Sequence, residues 1–206
     1  MTPVLAIISC EHDRKRGCHD AIRDTYLAEA AQRVPYTFVM GSDAKPLYQD
    51  EVCAKAGDGY HETYQKNNWI IRQFLKTDCT HLIMGDVDTY FCLPRLLKHD
   101  FAKHDYIGRR CDEGHAGGGY GYILSRHAAK ILSAHPLNGV PYNDLNLGMI
   151  LREHGVHVHD RSDIFLDKCP TSWTGHAVSA HLGISTGSWN PRWMRDCHAI
   201  FEPTAK

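Results

Sequence analysis

The stretch His81 to Leu97, HLIMGDVDTYFCLPRLL, constrains the rest of the chain most strongly. An apolar run, Leu82-Ile83-Met84, stops at Gly85-Asp86-Val87-Asp88 and resumes as Thr89-Tyr90-Phe91. Such a run suits a strand buried on both faces of a parallel sheet. A buried strand does not end in two acids without cause, because an unpaired buried carboxylate is costly. At the carboxyl end of the strand both acids sit at the rim of an open α/β sheet, where ligands bind. Two carboxylates one residue apart can share one hard divalent cation and its phosphate ligand. The plainer alternative is a strand-to-helix turn with an Asp cap for a helix around Pro94 to Lys98. A lone D-x-D tripeptide is common and does not decide between them.

The flanking segments predict the sheet around it. Val4 to Ile8 reads as a buried strand, Glu11 to Gly17 as a charged loop, and Asp20 to Gln32 as a helix. Tyr36 to Met40 is a second strand, Pro46 to Ala56 a helix, and Tyr64 to Leu75 a helix leading into the central strand. The order β-α-β-α-α-β is that of a parallel sheet with helical crossovers. Further on, Tyr106 to Gly108 is a short strand and the cluster Gly117-Gly118-Gly119 runs into a strand ending at Leu124. Ser125 caps a helix over Arg126 to Ala134. Tyr142-Asn143-Asp144 opens a helix over Leu145 to His154, which Gly155 ends. Val156 to His159 alternates as a strand does. No linker or repeat interrupts the 206 residues, so one domain is expected, with halves at about 1–98 and 99–206.

Composition narrows the partners. A net charge of −1 gives no bulk electrostatic case for nucleic acid or an anionic membrane. Eight cysteines form no C-x-x-C pair, so reduced and partly buried thiols are expected. Met1 leads directly into an apolar strand, with no signal peptide, membrane anchor or span in view, and a cytoplasmic setting is expected.

Several residue groups carry chemistry. The glycine cluster can cradle phosphate through backbone N–H groups, or mark a bend where a flat ligand approaches. It lacks the G-x-G-x-x-G and P-loop patterns. Asp144 is either a helix cap or a general base facing the acid pair. His157 and His159 project from one face of the expected strand while His154 lies on the preceding helix, so a solvated strand face is favoured over a metal cluster. His176 and His181 are better candidates, since one imidazole added to two carboxylates makes a reasonable Mn²⁺ site.

Taken together and in order, these pieces resemble glycosyltransferase family 31, the β-1,3-galactosyl-, N-acetylglucosaminyl- and Fringe-type transferases. Ser9, Arg16 and the run Ala21-Ile22-Arg23-Asp24-Thr25-Tyr26 are similar to the family's opening strand and R-x-x-I-R-x-T-W helix, with Tyr for Trp. Asp58-Gly59-Tyr60 through Lys66 matches a D-x-Y…K segment. Asp86-Val87-Asp88 matches the triple-Asp motif with Val in the middle, and Asn143-Asp144-Leu145 to Gly148 matches E-D-V…G.

The resemblance implies a GT-A fold, a nucleotide-binding α/β sheet joined to an acceptor half. It implies a nucleotide-sugar donor, UDP-linked by family default, and Mn²⁺ or Mg²⁺. By position, Asp88, Asp86 and His181 are the metal ligands, with His176 competing for the histidine role. Ser9, Arg16, Asp58, Lys66, Asp86, Gly118 and Gly119 surround the donor, and Asp144 is the catalytic base of an inverting transfer. The short chain suggests a compact bacterial or viral intracellular member. The acceptor is a glycan, with Trp173, Trp189 or Trp193 as a stacking surface, or a hydroxymethylated base in DNA contacted by Arg14-Lys15-Arg16, Arg109-Arg110 and Arg192/Arg195. A metal-dependent phosphodiesterase or nuclease, and a non-catalytic nucleotide-binding module, are the competing readings.

Overall fold

The computed structural model describes residues 2–30, 33–140, 142–169, 176–183 and 190–201. At its centre strand β1 (Pro3–Ile8) runs parallel to strand β4 (His81–Asp86), with Ile8 beside Asp86. Strand β2 (Tyr36–Met40) pairs parallel with β1, and β3 (Glu51–Cys53) pairs parallel with β2. On the other side β7 (Tyr122–Ser125) is antiparallel to β4, β6 (Tyr106–Gly108) is antiparallel to β7, and β8 (His159–Asp160) is parallel to β6. The order is β3-β2-β1-β4-β7-β6-β8. This is the expected α/β class with a mostly parallel sheet, and residues from both sides of position 98 build it. A second, three-stranded sheet joins β5 (Thr89–Phe91) antiparallel to β10 (Ser179–His181), which runs parallel to β9 (Phe165–Leu166).

The central strands are apolar on both faces because each face is covered. Leu5, Ile7, Phe38 and Ile83 pack into a core with α2 (Cys18–Arg23), α3 (Tyr26–Ala30), α5 (Leu93–Leu96) and α8 (Pro191–Phe201). Ala6, Ile8, Val39, Leu82 and Met84 pack into another with α4 (Thr63–Phe74), α6 (Arg126–Ala134) and α7 (Asn143–Glu153). Alternate residues of one strand thus serve opposite cores. Ser125 caps α6 as expected, its Oγ accepting from the N–H groups of His127 and Ala128. Gly155, with φ +78°, follows α7.

Several elements differ from expectation. Glu11 to Lys15 is a short helix, α1, rather than a loop. The helix expected over Asp20 to Gln32 breaks after Arg23, where the Thr25 hydroxyl donates to Ala21 O at 2.6 Å and Ile22 O at 3.2 Å. That side chain offers the backbone carbonyls an alternative to the helical ladder. The helix expected over Pro46 to Ala56 is absent; Glu51 to Cys53 pair with β2 instead, because tertiary partners of Glu51 outweigh local propensity. The strand expected over Val156 to His159 is only β8, and the His159 ring stacks on His104 with centroids 3.5 Å apart. No disulfide occurs among the described residues. No described helix is long and apolar enough to cross a membrane.

Candidate functional site

The carboxyl ends of β1 and β4 open into a cleft, and the acid pair lies on its floor. Val87 is buried in the core, whereas Asp86 and Asp88 on either side of it are only half-buried and line the cleft. A third acid at position 87 would bury its charge in an apolar core. Pairing of β10 with β5 puts His181 opposite Thr89, and its Nε2 lies 3.3 Å from Asp88 Oδ2. Burial opposes protonation of His181, but the Asp88 carboxylate outweighs it and the pKa is raised. Burial, and then the charge of Asp88, push the Asp86 carboxyl well above the usual carboxylate range.

Two carboxylates and an imidazole form a donor set that Mn²⁺ accepts. Two glycines leave the room they need. A Cβ on Gly119 would lie 2.6 Å from His181 Nε2, and one on Gly183 would lie 1.7 Å from Asp88 Oδ2. Among the described residues no three His, Cys, Asp or Glu side chains are already gathered around one point. Asp88 and His181 are in contact, and Asp86 lies alongside. The residue types suit a divalent cation, with Asp88 and His181 placed to share one and Asp86 the nearest further carboxylate. His176 is exposed, and its charge neighbour is Asp163.

One compartment of the cleft, about 310 Å³, is lined by Ser9, Cys10, Asp13, Asp58, Lys66 and the acid pair, among others. Asp58 accepts from Gly41 N at 2.7 Å, Glu11 N at 2.6 Å and Lys66 Nζ at 2.8 Å. Although burial works against it, these donors hold the Asp58 carboxyl below its ordinary pKa. The ammonium of Lys66 is buried and also donates to Ser9 O at 2.7 Å. Asp58 and Lys66 thus tie the end of β1 to the start of α4. Arg16 is exposed just past α1 and is not among the described lining residues of either compartment.

The second compartment, about 190 Å³, shares Asp86 and Tyr60 with the first and reaches Gly118, Gly119, Asn143 and Asp144. Tyr142, not Asp144, is the residue that caps α7. Asp144 lies within the first turn, where its Oδ2 accepts from Gly118 N at 2.9 Å and its Oδ1 from Leu145 N at 2.9 Å. The glycines form a 3₁₀ turn, Gly118–Tyr120, anchored from the second sheet. Thr89 Oγ1 donates to Gly119 O at 3.0 Å and Ser179 Oγ to Tyr120 O at 2.8 Å. Strand β5, which follows directly on Asp88, and strand β10, which carries His181, therefore hold the loop that orients Asp144.

Some site residues escape sequence reasoning. His115 is buried with its Nε2 3.7 Å from Asp144 Oδ2, and its Nδ1, which makes no hydrogen bond, lies 3.8 Å from Glu113 Oε2. Only the fold brings it to α7. Asn143 Oδ1 is likewise buried without a partner beside Asp144. Tyr60 and Tyr142, 80% and 63% exposed, flank the second compartment, whose described lining contains no Lys or Arg. Aromatic residues next to the D-G and N-D pairs were the available signal. Trp193 packs against the core, and Trp173 and Trp189 lie outside the described residues.

No protein-family model matches the sequence, and no curated protein matches it. Solved structures do resemble it. A glycosyltransferase involved in glycosylation of the major capsid of PBCV-1 superposes with a TM-score of 0.53 at 12% identity, covering 96% of this chain and 100% of that one. The galactosyltransferase LgtC, in complex with donor and acceptor sugar analogs, superposes with a TM-score of 0.51 at 10% identity, covering 98% and 97%. At such identities the likeness concerns the fold, and the chain has the GT-A-type fold of these sugar transferases.

Proposed function

We propose that the chain is a metal-dependent inverting glycosyltransferase, similar to family 31, that moves a sugar from a UDP-linked donor to a hydroxyl of an acceptor glycan. The observation that carries this reading is the position of Asp144. Its carboxylate is held by the Gly118 N–H in a compartment that also contains Asp86, and that compartment is continuous with the one lined by Asp88.

Asp88 and His181, with Asp86 beside them, would hold the cation. When bound, such a cation would supply positive charge for the departing diphosphate. Asp144 takes the proton from the acceptor hydroxyl as that oxygen attacks the anomeric carbon, help worth ~10²–10⁴-fold. The hydrogen bonds from Gly118 and Leu145 keep the carboxylate aimed and leave its other lone pairs for the acceptor.

The lining favours a glycan over DNA. Tyr60 and Tyr142 offer exposed aromatic faces beside Asp144, and the described lining there has no Lys or Arg to meet phosphates. Four of the six arginines considered for DNA have acidic partners elsewhere: Arg14 pairs with Glu51, Arg109 with Asp167, Arg192 with Asp196 and Arg195 with Asp24.

A thermal-shift screen of nucleotide sugars with and without Mn²⁺ tests the reading. A cognate donor raises the melting temperature only with the cation. Asp144→Asn should keep that shift while turnover falls by roughly 10²-fold or more. Activity undiminished by a chelator, or near-full turnover in Asp144→Asn, would sink it.

A further inference from the structure

Ser9 heads a buried hydrogen-bonded chain that the donor and acceptor compartments do not require. Its Oγ lies 2.7 Å from His19 Nε2, and His19 Nδ1 lies 2.9 Å from Glu51 Oε1. Glu51 also accepts from Leu47 N at 2.9 Å, Arg14 Nη1 at 3.0 Å and Arg23 Nη2 at 3.0 Å. Burial opposes ionisation of Glu51, yet these donors hold its pKa down at about 2. A carboxylate only accepts, so the imidazole proton resides on Nδ1. The His19 ring is buried and stacked on Phe38, centroids 4.1 Å apart, and burial lowers its pKa. In the neutral ring Nε2 is an acceptor, so the Ser9 hydroxyl donates to it. The other acceptor within reach, Cys10 O, is 3.4 Å away against 2.7 Å for His19, so the single proton goes to His19 and Ser9 Oγ accepts from a ligand.

We propose that the Ser9–His19–Glu51 chain makes Ser9 a one-way hydrogen-bond acceptor in the cleft, selecting the donating part of a nucleotide, a ribose hydroxyl or base N–H, and turning away phosphate oxygens. This rests on the donor site proposed above. Surrounding groups point the same way. The Lys66 ammonium is already engaged by Ser9 O and Asp58, and Asp13 and Asp58 line the same compartment. This end of the cleft therefore presents acceptors and disfavours an anion. His19 and Glu51 act through Ser9 as positioning residues. The same connectivity serves acyl transfer in catalytic triads, where the imidazole must reach a leaving group. His19 is 1% exposed and covered by Phe38, so it cannot.

Calorimetric titration of uridine, UDP and pyrophosphate into the full chain tests this. Ser9→Ala should weaken uridine and UDP by roughly three- to tenfold, the range for one neutral hydrogen bond. It should leave pyrophosphate within about twofold. His19→Asn retains a donor for Glu51 but does not reach Ser9, so it should match Ser9→Ala. His19→Gln places an amide oxygen near Ser9 and should recover affinity. The Ser9→Ala/His19→Asn double variant should bind no more weakly than Ser9→Ala alone. A purely structural network would lower the melting temperature of His19→Asn and leave uridine affinity unchanged. Uridine affinity unchanged in Ser9→Ala, or pyrophosphate weakened as much as uridine, overturns the proposal. A wild-type chain that binds none of the three probes overturns the donor site with it.

Discussion

Whether the proposed cation site can form is decided by two residues with no side chain. The glycines at 119 and 183 occupy positions where a methyl group would meet His181 and Asp88. At Gly119 the obstructed atom is the tip of the His181 ring, which can swing aside without moving backbone. Gly119→Ala should therefore fold with a near-native melting temperature yet lose the imidazole from its place beside Asp88. Displacing a group that orients a metal site costs ~10–100-fold in affinity. Manganese titration in the presence of UDP reads that loss, and unchanged affinity would remove His181 from the ligand set. Residues of this kind were only partly legible. Asp86, Asp88 and Asp144 announce themselves because acids at the ends of apolar runs need a reason. His19, Glu51 and His115 do not, since the side chains that fix them lie as far as 37 residues away in the sequence.

At the scale of elements, α7 carries the candidate base in its first turn and is seated by its own glycine. A Cβ on Gly148 would lie 2.3 Å from His115 Cβ and 3.0 Å from His115 Cα. Replacing a helical glycine by alanine ordinarily gains about 1 kcal/mol. Here the new methyl meets backbone, and overpacking of that sort costs about 1–3 kcal/mol. The sign reverses, so urea unfolding should find Gly148→Ala less stable than wild type. Turnover should fall as well, because a shift of α7 moves Asp144 away from Gly118 N. A variant more stable than wild type would contradict the close seat. Long periodic elements such as α4, α6 and α7 were readable from spacing and caps. The strand at Glu51 to Cys53 was not, since buried ionic partners decide it, and neither was the break before Thr25, which depends on one hydroxyl.

For the whole molecule, the same ionised groups that shape the cleft make stability depend on pH, with opposite signs on its two sides. Glu51 joins β3 to α1 and α2 through Arg14, His19 and Arg23, with its side chain fully buried. Its pKa falls from the ordinary 4.5 to about 2 on folding. The resulting stabilisation is complete above 4.5 and is lost as pH falls through about 2. Each tenfold change in proton affinity is worth about 1.4 kcal/mol, so the contribution is on the order of 3 kcal/mol. Asp86 works the other way. Burial and Asp88 raise its pKa on folding, so the metal-free fold favours its protonated form and loses stability as pH rises above 3.8 toward that raised value. A cation beside Asp86 and Asp88 relieves the second effect and leaves the first untouched. The metal-free chain should therefore be most stable on the acid side of neutrality, and Mn²⁺ should flatten only the neutral limb. Urea unfolding from pH 2 to 8 measures both limbs. Glu51→Gln should flatten the acid limb, leaving the part that Asp58 contributes, and Asp86→Asn should flatten the neutral one. An acid limb of undiminished depth in Glu51→Gln would show that the buried ion network does not link β3 to the helices beside it.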